Sequence, residues 1–308
     1  MKQAITELKG TKVTWVDVRT TGKEELATLK RRFKFLEIDL KDCAPPLQRP
    51  KIVERPSYLF MILLFPVFDP SSRELKPVEI DLFISKNYLV TVHTHTPPPL
   101  ARLFERAATD KALRMTLLGE TPGKLLYHLL DELLDTCFPM LVHIANDVDA
   151  TESRMTEVHD RGTIHEIFRL KTNIVNFKKA MQPHKMIMRK LIGAASKFFA
   201  TKHLEIYFGN LVDHTKEIWD SLELQNDTLN AIEDTHLSLL NFRSGDIIRV
   251  LTLFAVIVFP LTLMAAIFGM NTINMPIIGH PFDFWIIIAL MIAGVCGMIA
   301  YFKLKRWL

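Results

Sequence analysis

The sequence predicts an α+β domain with a mixed sheet, then a long-helix stalk, then two C-terminal transmembrane helices. Three observations predict it. Apolar and polar residues alternate in several short runs within the first 120 positions. After Pro122 the chain turns to long, breaker-poor stretches of helical periodicity. Finally, no Asp, Glu, Lys or Arg occurs from Val250 to Phe282, and none from Phe284 to Phe302.

In the first part, "KVTWVDVR" alternates as a strand, and "GKEELATLKRRF" reads as a helix opening after Gly22. "YLFMILLFP" and "PVEIDLFIS" are predicted strands, the second joined to "NYLVTVH" by a tight turn at Ser85-Lys86-Asn87. "DCAPPLQRP" and "HTPPPL" are proline-stiffened loops. Domain boundaries are expected at 1–121 for the α/β part, 122–246 for the helical bundle and stalk, and 247–308 for the membrane hairpin. Its outer loop is expected over 271–283.

Residues 122–160, 164–200 and 203–245 read as long helices, the middle one bent at Pro183. No proline lies between Pro183 and Pro260, so the last helix is expected to run unbroken into the membrane. Along it Leu211, Ile218, Leu222, Leu229, Ile232 and Leu239 make a narrow seam, which suits packing of identical helices around a symmetry axis. Charge is sorted between neighbours: residues 205–240 hold eight acids and one base, whereas 164–200 hold eight bases and one acid. Two antiparallel helices pairing their charges account for this. So does an acidic rod, repeated about an axis, that gathers cations below the membrane.

Each uncharged run reaches the ~20 residues needed to cross a bilayer. Arg243 and Arg249 precede the first span, and Lys303, Lys305 and Arg306 follow the second, with no Lys or Arg between the spans. The positive-inside rule then places both termini in the cytoplasm. "MKQAITELKGTK" has no apolar signal region, and a bacterial inner membrane is the expected location.

Composition excludes little else. The net charge of +4 comes without a basic patch interleaved with aromatics, so nucleic acid is not an expected partner. The three cysteines fit neither a disulfide framework nor a zinc site and read as free thiols. There is no Walker A pattern and no catalytic constellation, so an enzyme is not expected. His93 and His95 have the alternate spacing of one strand face, but a third metal ligand is not evident. Met181, Met186 and Met188 beside His184 read as gap-filling core residues rather than a soft-metal site.

The loop "FGMNTINMP" between the spans is polar and uncharged. Gly269 permits close backbone approach, and Asn271 offers amide dipoles suited to a cation that keeps its water shell, as Mg²⁺ does. Ala255, Thr262, Ala266 and Gly269 recur at helical spacing on the first span, interrupted by Phe259. Close helix packing and a pore lining both suit such a stripe.

"FPLTLMAAIFGMN" followed by "NMP" resembles the signature of the CorA family of magnesium transporters. The likeness extends to "QRPK", "FISKNYLVTVH", "VDHTKEIWDSLE" and the basic tail ending in Trp-Leu. The resemblance implies a funnel-shaped homopentamer in membrane lipid. Gly269, Met270 and Asn271 would form the selectivity filter, with Asn271 meeting the hydrated metal. Gly245, Ile248, Leu251, Ala255, Phe259, Thr262 and Ala266 would line the pore, with Phe259, Leu251 and Ile248 forming an apolar constriction. Mg²⁺ would be the transported ion and a possible regulatory ligand at Asp213 and His214. Departures from the family pattern are Gly245 in place of an inner asparagine, Ala266 in place of a glycine, Asn210 in place of a sensing carboxylate, and an outer loop with Asp283 as its sole acid. Transport of Zn²⁺, Co²⁺ or Ni²⁺, or a non-conducting scaffold or sensor, are the alternatives.

Overall fold

A computed structural model describes residues 4–157, 161–198, 204–270, 277–279 and 281–305. Two compact units are resolved, Met1–Glu233 and Asp234–Leu308.

The first unit is built on a six-stranded mixed sheet in the order β1-β2-β6-β5-β4-β3. Its strands are β1 (Ile5–Lys9), β2 (Thr14–Val18), β3 (Lys51–Glu54), β4 (Leu59–Asp69), β5 (Glu74–Ile84) and β6 (Tyr88–Val92). Only β2 and β6 pair in parallel; the remaining pairs are antiparallel. The strands expected at 12–19, 58–66, 77–85 and 87–93 are present. β1 and β3 were not anticipated, because both are short edge strands whose residues are half-buried and mixed in polarity.

Alternation along the strands feeds two cores. One face carries Val16, Val18, Phe60, Phe83, Val90 and Val92, covered by Leu29 of α1 (Lys23–Phe33), Leu40 of α2 (Glu37–Asp42) and Phe35 of the link between them. Asp39 of α2 is fully buried. It accepts bonds from Arg55 at 2.6 and 2.9 Å and from the Tyr58 hydroxyl at 2.6 Å, which pins α2 to the sheet.

The other face carries Trp15, Leu59, Met61, Leu63, Leu82 and Leu89, and the remaining helices of the unit pack there. These are α3 (Pro98–Thr109), α4 (Lys111–Leu118), α5 (Pro122–Asp135), α6 (Cys137–Glu157), α7 (Arg161–Met181), α8 (His184–Phe198) and the beginning of α9 (Leu204–Phe268). The caps follow from the sequence. Asp110 accepts from the Ala112 and Leu113 amides to open α4, and Thr121 accepts from Lys124 to open α5.

Two expectations are corrected here. The helix read over 122–160 is two helices, broken at Thr136. Pro139 explains the break, because proline has no amide to donate and is accommodated only in the first turn of a new helix. The seam on the long helix does not await a symmetry axis. Leu211, Ile218, Leu222, Leu229 and Ile232 are buried against the chain's own core, and only Leu239, 39% exposed, is left outside it. The break at Pro183, between α7 and α8, falls where expected.

The charge sorting resolves partly into intrachain pairs: Lys171 reaches Glu233 at 2.5 Å, and Lys178 sits over the Trp219 ring at 5.1 Å. In the second unit α9 continues to Phe268, and α10 (Asp283–Leu304) forms the second apolar helix. At 65 residues, α9 spans about 100 Å.

Candidate functional site: the apolar helices and the stalk

Each apolar segment has the length and composition of a membrane span, with mean hydropathy 2.6 in α9 and 2.3 in α10, and neither is buried within the chain. Gly245, Ile248, Leu251, Ala255, Phe259, Thr262 and Ala266 advance by three or four residues and so share one stripe of α9. Phe259 is 71% exposed, and Ile248 and Leu251 are also open. The Thr262 hydroxyl donates to the Val258 carbonyl at 2.9 Å, and Thr252 donates to Ile248 at 2.8 Å. Both polar hydrogens are thereby spent on the helix, leaving oxygen lone pairs as what Thr262 presents. Pro260 lies inside the helix and removes one backbone donor.

α9 ends in a tight turn. The Gly269 amide donates to the Ala265 carbonyl at 3.0 Å, and the Met270 amide to Ile267 at 3.2 Å. A Cβ at position 269 would lie 3.1 Å from the Ala265 carbonyl oxygen, closer than ordinary van der Waals contact, so a larger residue would have to shift the turn by a few tenths of an ångström. Met270 is 55% exposed beyond it. Asn271, the expected filter amide, lies outside the described residues, as do 272–276. Past them, Ile277 and Gly279 have positive φ (81° and 103°), and Asp283 accepts from the Gly279 amide at 3.4 Å and from its neighbour Phe284 at 2.6 Å. The lone acid of the loop therefore serves the start of α10.

On the stalk, Asp213 and His214 are consecutive, so the helix turns them about 100° apart. Asp213 is exposed beside Lys216, Glu217 and Asp220. His214 faces α5, with Nδ1 3.8 Å from Asp131 and 3.9 Å from Asp135. One donor atom from each of these three residues lies within 4.8 Å of the others, the only such trio among the described residues. Burial raises the Asp131 carboxyl, and the neighbouring Asp135 charge raises it further. Sequence reasoning missed Asp131 and Asp135. Their four-residue spacing on a leucine-rich helix was the available signal. Asn210 is exposed one turn before His214.

The histidines of "VHTHT" do not work as a pair. His93 is buried, and its Nε2 bonds Asp17 at 2.9 Å, while His95 is exposed beside Thr94. Burial raises the Asp17 carboxyl, but bonds from His93, Thr91 and Arg19 outweigh this and hold it below the usual range. Met181 and Met188 are core residues as expected, while Met186 is exposed. Cys43, Cys137 and Cys296 are free thiols, and burial pushes Cys137 up to about 12.

Residues 10–306 match the family model described as CorA-like Mg²⁺ transporter protein. The cobalt/magnesium transport protein CorA of Thermotoga maritima is 28% identical, over 96% of this chain and 83% of that one. A putative metal ion transporter of Bacillus subtilis, YfjQ, is 26% identical, over 95% and 89%. Among solved structures, the complete CorA magnesium transporter of Methanocaldococcus jannaschii superposes with a TM-score of 0.84 at 23% identity, covering 96% of this chain and 92% of that one. With the mixed-sheet domain, the long helix and the two apolar helices all in place, the chain belongs to the CorA family of divalent metal ion transporters.

Proposed function

We propose that the chain is the subunit of a homopentameric Mg²⁺ channel, with α9 lining the pore and α10 outside it. The observation that carries this reading is the end of α9. A helix free of charge from Val250 onward closes in a turn at Gly269, where a Cβ would sit tightly against the Ala265 carbonyl oxygen, immediately before Met270 and Asn271. Repeated around an axis, that turn would bring five asparagine amides to one point. Amide dipoles replace or orient waters on an ion without fixing a charge, which suits Mg²⁺, an ion that dehydrates reluctantly. Ile248, Leu251 and Phe259 would form the dewetting constriction, and Thr262 would offer oxygen lone pairs between it and the filter. A divalent ion entering a cell gains roughly 4.6 kcal/mol per 100 mV of inside-negative potential, so no bound nucleotide is required. The direction is uptake, through a bacterial inner membrane with both termini in the cytoplasm.

The name of the Thermotoga relative pairs cobalt with magnesium, which keeps Co²⁺, and with it Zn²⁺ and Ni²⁺, as the second reading. Liposome flux separates these readings. Mg²⁺ entry that is abolished by Asn271→Ala supports the Mg²⁺ pore. Entry of Co²⁺ or Zn²⁺ without Mg²⁺ replaces the cargo. Flux of all these ions no greater than in protein-free liposomes, in wild type and variant alike, leaves a non-conducting scaffold.

A further inference from the structure

β6 ends at Val92, opposite Asp81, and the earlier residues of β5 continue without it. A cavity of about 240 Å³ lies there, under the loop between α2 and β3, with Cys43, Leu47, Glu79, Asp81 and His95 in its wall. Glu79 and Asp81 are two residues apart on one strand and so share a sheet face. Asp81 is 2% exposed, and its Oδ1 has no hydrogen-bond partner. Glu79 is 8% exposed and accepts the Gln48 amide through one oxygen. The nearby base, Lys51, is already paired with Asp42. Lys51 thus serves Asp42 directly and Asp81 only at a distance, and Glu79 has the Gln48 amide in place of a cation.

Burial raises the Asp81 carboxyl well above its ordinary range, and the Glu79 charge raises it further. Glu79 is raised by burial and then by Asp42. A buried carboxylate without a counter-charge must take up a proton or a cation.

We propose that this cavity, which is separate from the pore, holds a hydrated divalent cation of the Mg²⁺ class on the carboxylates of Asp81 and Glu79. The type of ion follows from how the donors are spread. No three of them converge as the four ligands of a zinc site do, since the one converged trio among the described residues is Asp131, Asp135 and His214. A hard cation held by one or two carboxylates and several waters needs no such convergence. At about 30 Å³ per water, the cavity has room for that shell. An ion here would join β5 to the loop carrying Gln48, the segment that follows Asp42.

Mn²⁺, a paramagnetic stand-in for Mg²⁺, tests this in full-length protein. The background is Asn271→Ala, which silences the expected filter, so the count of bound ions does not depend on whether the pore conducts. Electron paramagnetic resonance titration should show one fewer bound Mn²⁺ per chain in both Asp81→Asn and Glu79→Gln. Asp131→Asn should retain that ion, and millimolar Mg²⁺ should displace it from the parent protein. Two variants guard against misfolding, since Glu79→Gln preserves the acceptor oxygen for Gln48. An unchanged count in both folded variants overturns the proposal and leaves Asp81 as a protonated acid. Thiolate-to-metal absorption on Co²⁺ loading, lost in Cys43→Ser, overturns the hard-ion assignment.

Discussion

His184 makes the stability of the first unit depend on pH, and the size of the effect follows from its surroundings. It opens α8 with no exposed surface, its ring edge-on to Phe65 at 4.9 Å, and neither ring nitrogen makes a hydrogen bond of ordinary geometry. Burial lowers its pKa to about 4, and the Ala180 and Met181 carbonyls recover only part of that shift. A base whose folded pKa is depressed is neutral when folded and takes its proton on unfolding. Its contribution is therefore intact above about pH 6.5 and lost as pH falls towards 4. Below that the folded state is protonated as well, and the loss stops growing. Between pH 7 and 5 the linkage integral gives a loss of about 2 kcal/mol, a little over twentyfold in the folding equilibrium. Asp81 and Glu79 act in the opposite sense, because their raised folded pKa values favour the folded state as pH falls. The raw pH profile therefore mixes signs, and the measurement must be a difference. Urea unfolding of the cytoplasmic unit in the detergent-solubilised protein, followed by the fluorescence of buried Trp15, should be compared for wild type and His184→Phe. The stability difference should shift by about 2 kcal/mol in favour of the variant between pH 7 and 5. Parallel profiles would refute the reasoning.

Other substitutions test the remaining contacts. Ile218→Ala, which empties a fully buried seam position, should cost about 2–5 kcal/mol of first-unit stability by denaturation. It should leave the oligomer mass in detergent unchanged, whereas a seam facing a symmetry axis would show the reverse. Gly269→Val should reduce liposome flux, because its Cβ would press on the Ala265 carbonyl oxygen at 3.1 Å and shift the turn before Asn271; wild-type flux would show that the turn is not part of the conduction path. Ile278→Asp, placed in a loop with one acid already committed to α10, should raise Mg²⁺ flux at low external concentration, and unchanged flux would count against electrostatic capture there. Asp17→Asn, in a fully buried position with three polar partners, should destabilise the first unit by about 3–5 kcal/mol in the same urea assay.

The parts of the fold that the sequence revealed are those where one force dominates. Charge disappears from Val250 to Phe282 because hydrocarbon tolerates none, and that gap alone identifies the first span. Strands β2, β4, β5 and β6 were legible because each carries either clear alternation or an unbroken apolar run bounded by turn residues. β1 and β3 were not, because an edge strand needs neither a long apolar run nor strict alternation. The seam on α9 was read correctly as a buried stripe and wrongly as an interchain one. Periodicity tells which face is covered but not whose atoms cover it, and here Leu211 and Ile218 belong to the buried core of their own chain. The surroundings of the stalk residues were hidden for a similar reason. Asp213 and His214 are adjacent in sequence but separated by helical rotation, while Asp131 and Asp135 reach His214 only through the packing of α5 on α9.

The last charges before the first span bear on the departure at Gly245. Asp246 and Arg249 face each other at 3.5 Å, three residues apart on the same helix. At a membrane entrance, an unpaired arginine repeated fivefold would repel cations, and an unpaired aspartate would hold them. Pairing within each helix cancels both fields at short range and leaves the apolar side chains of Ile248 and Leu251 to govern passage. Gly245 adds no dipole of its own to this ring, whereas an asparagine there would supply one. In the proposed pore, the inner end therefore controls ions by exclusion of water rather than by binding. Selectivity must then arise at the opposite end, where Gly269 closes the helix before Asn271. Gly245→Asn separates the two roles: it should slow or gate Mg²⁺ flux in liposomes while leaving the Mg²⁺-to-Co²⁺ ratio unchanged. A changed ratio would place part of the selectivity at the inner ring and refute this division.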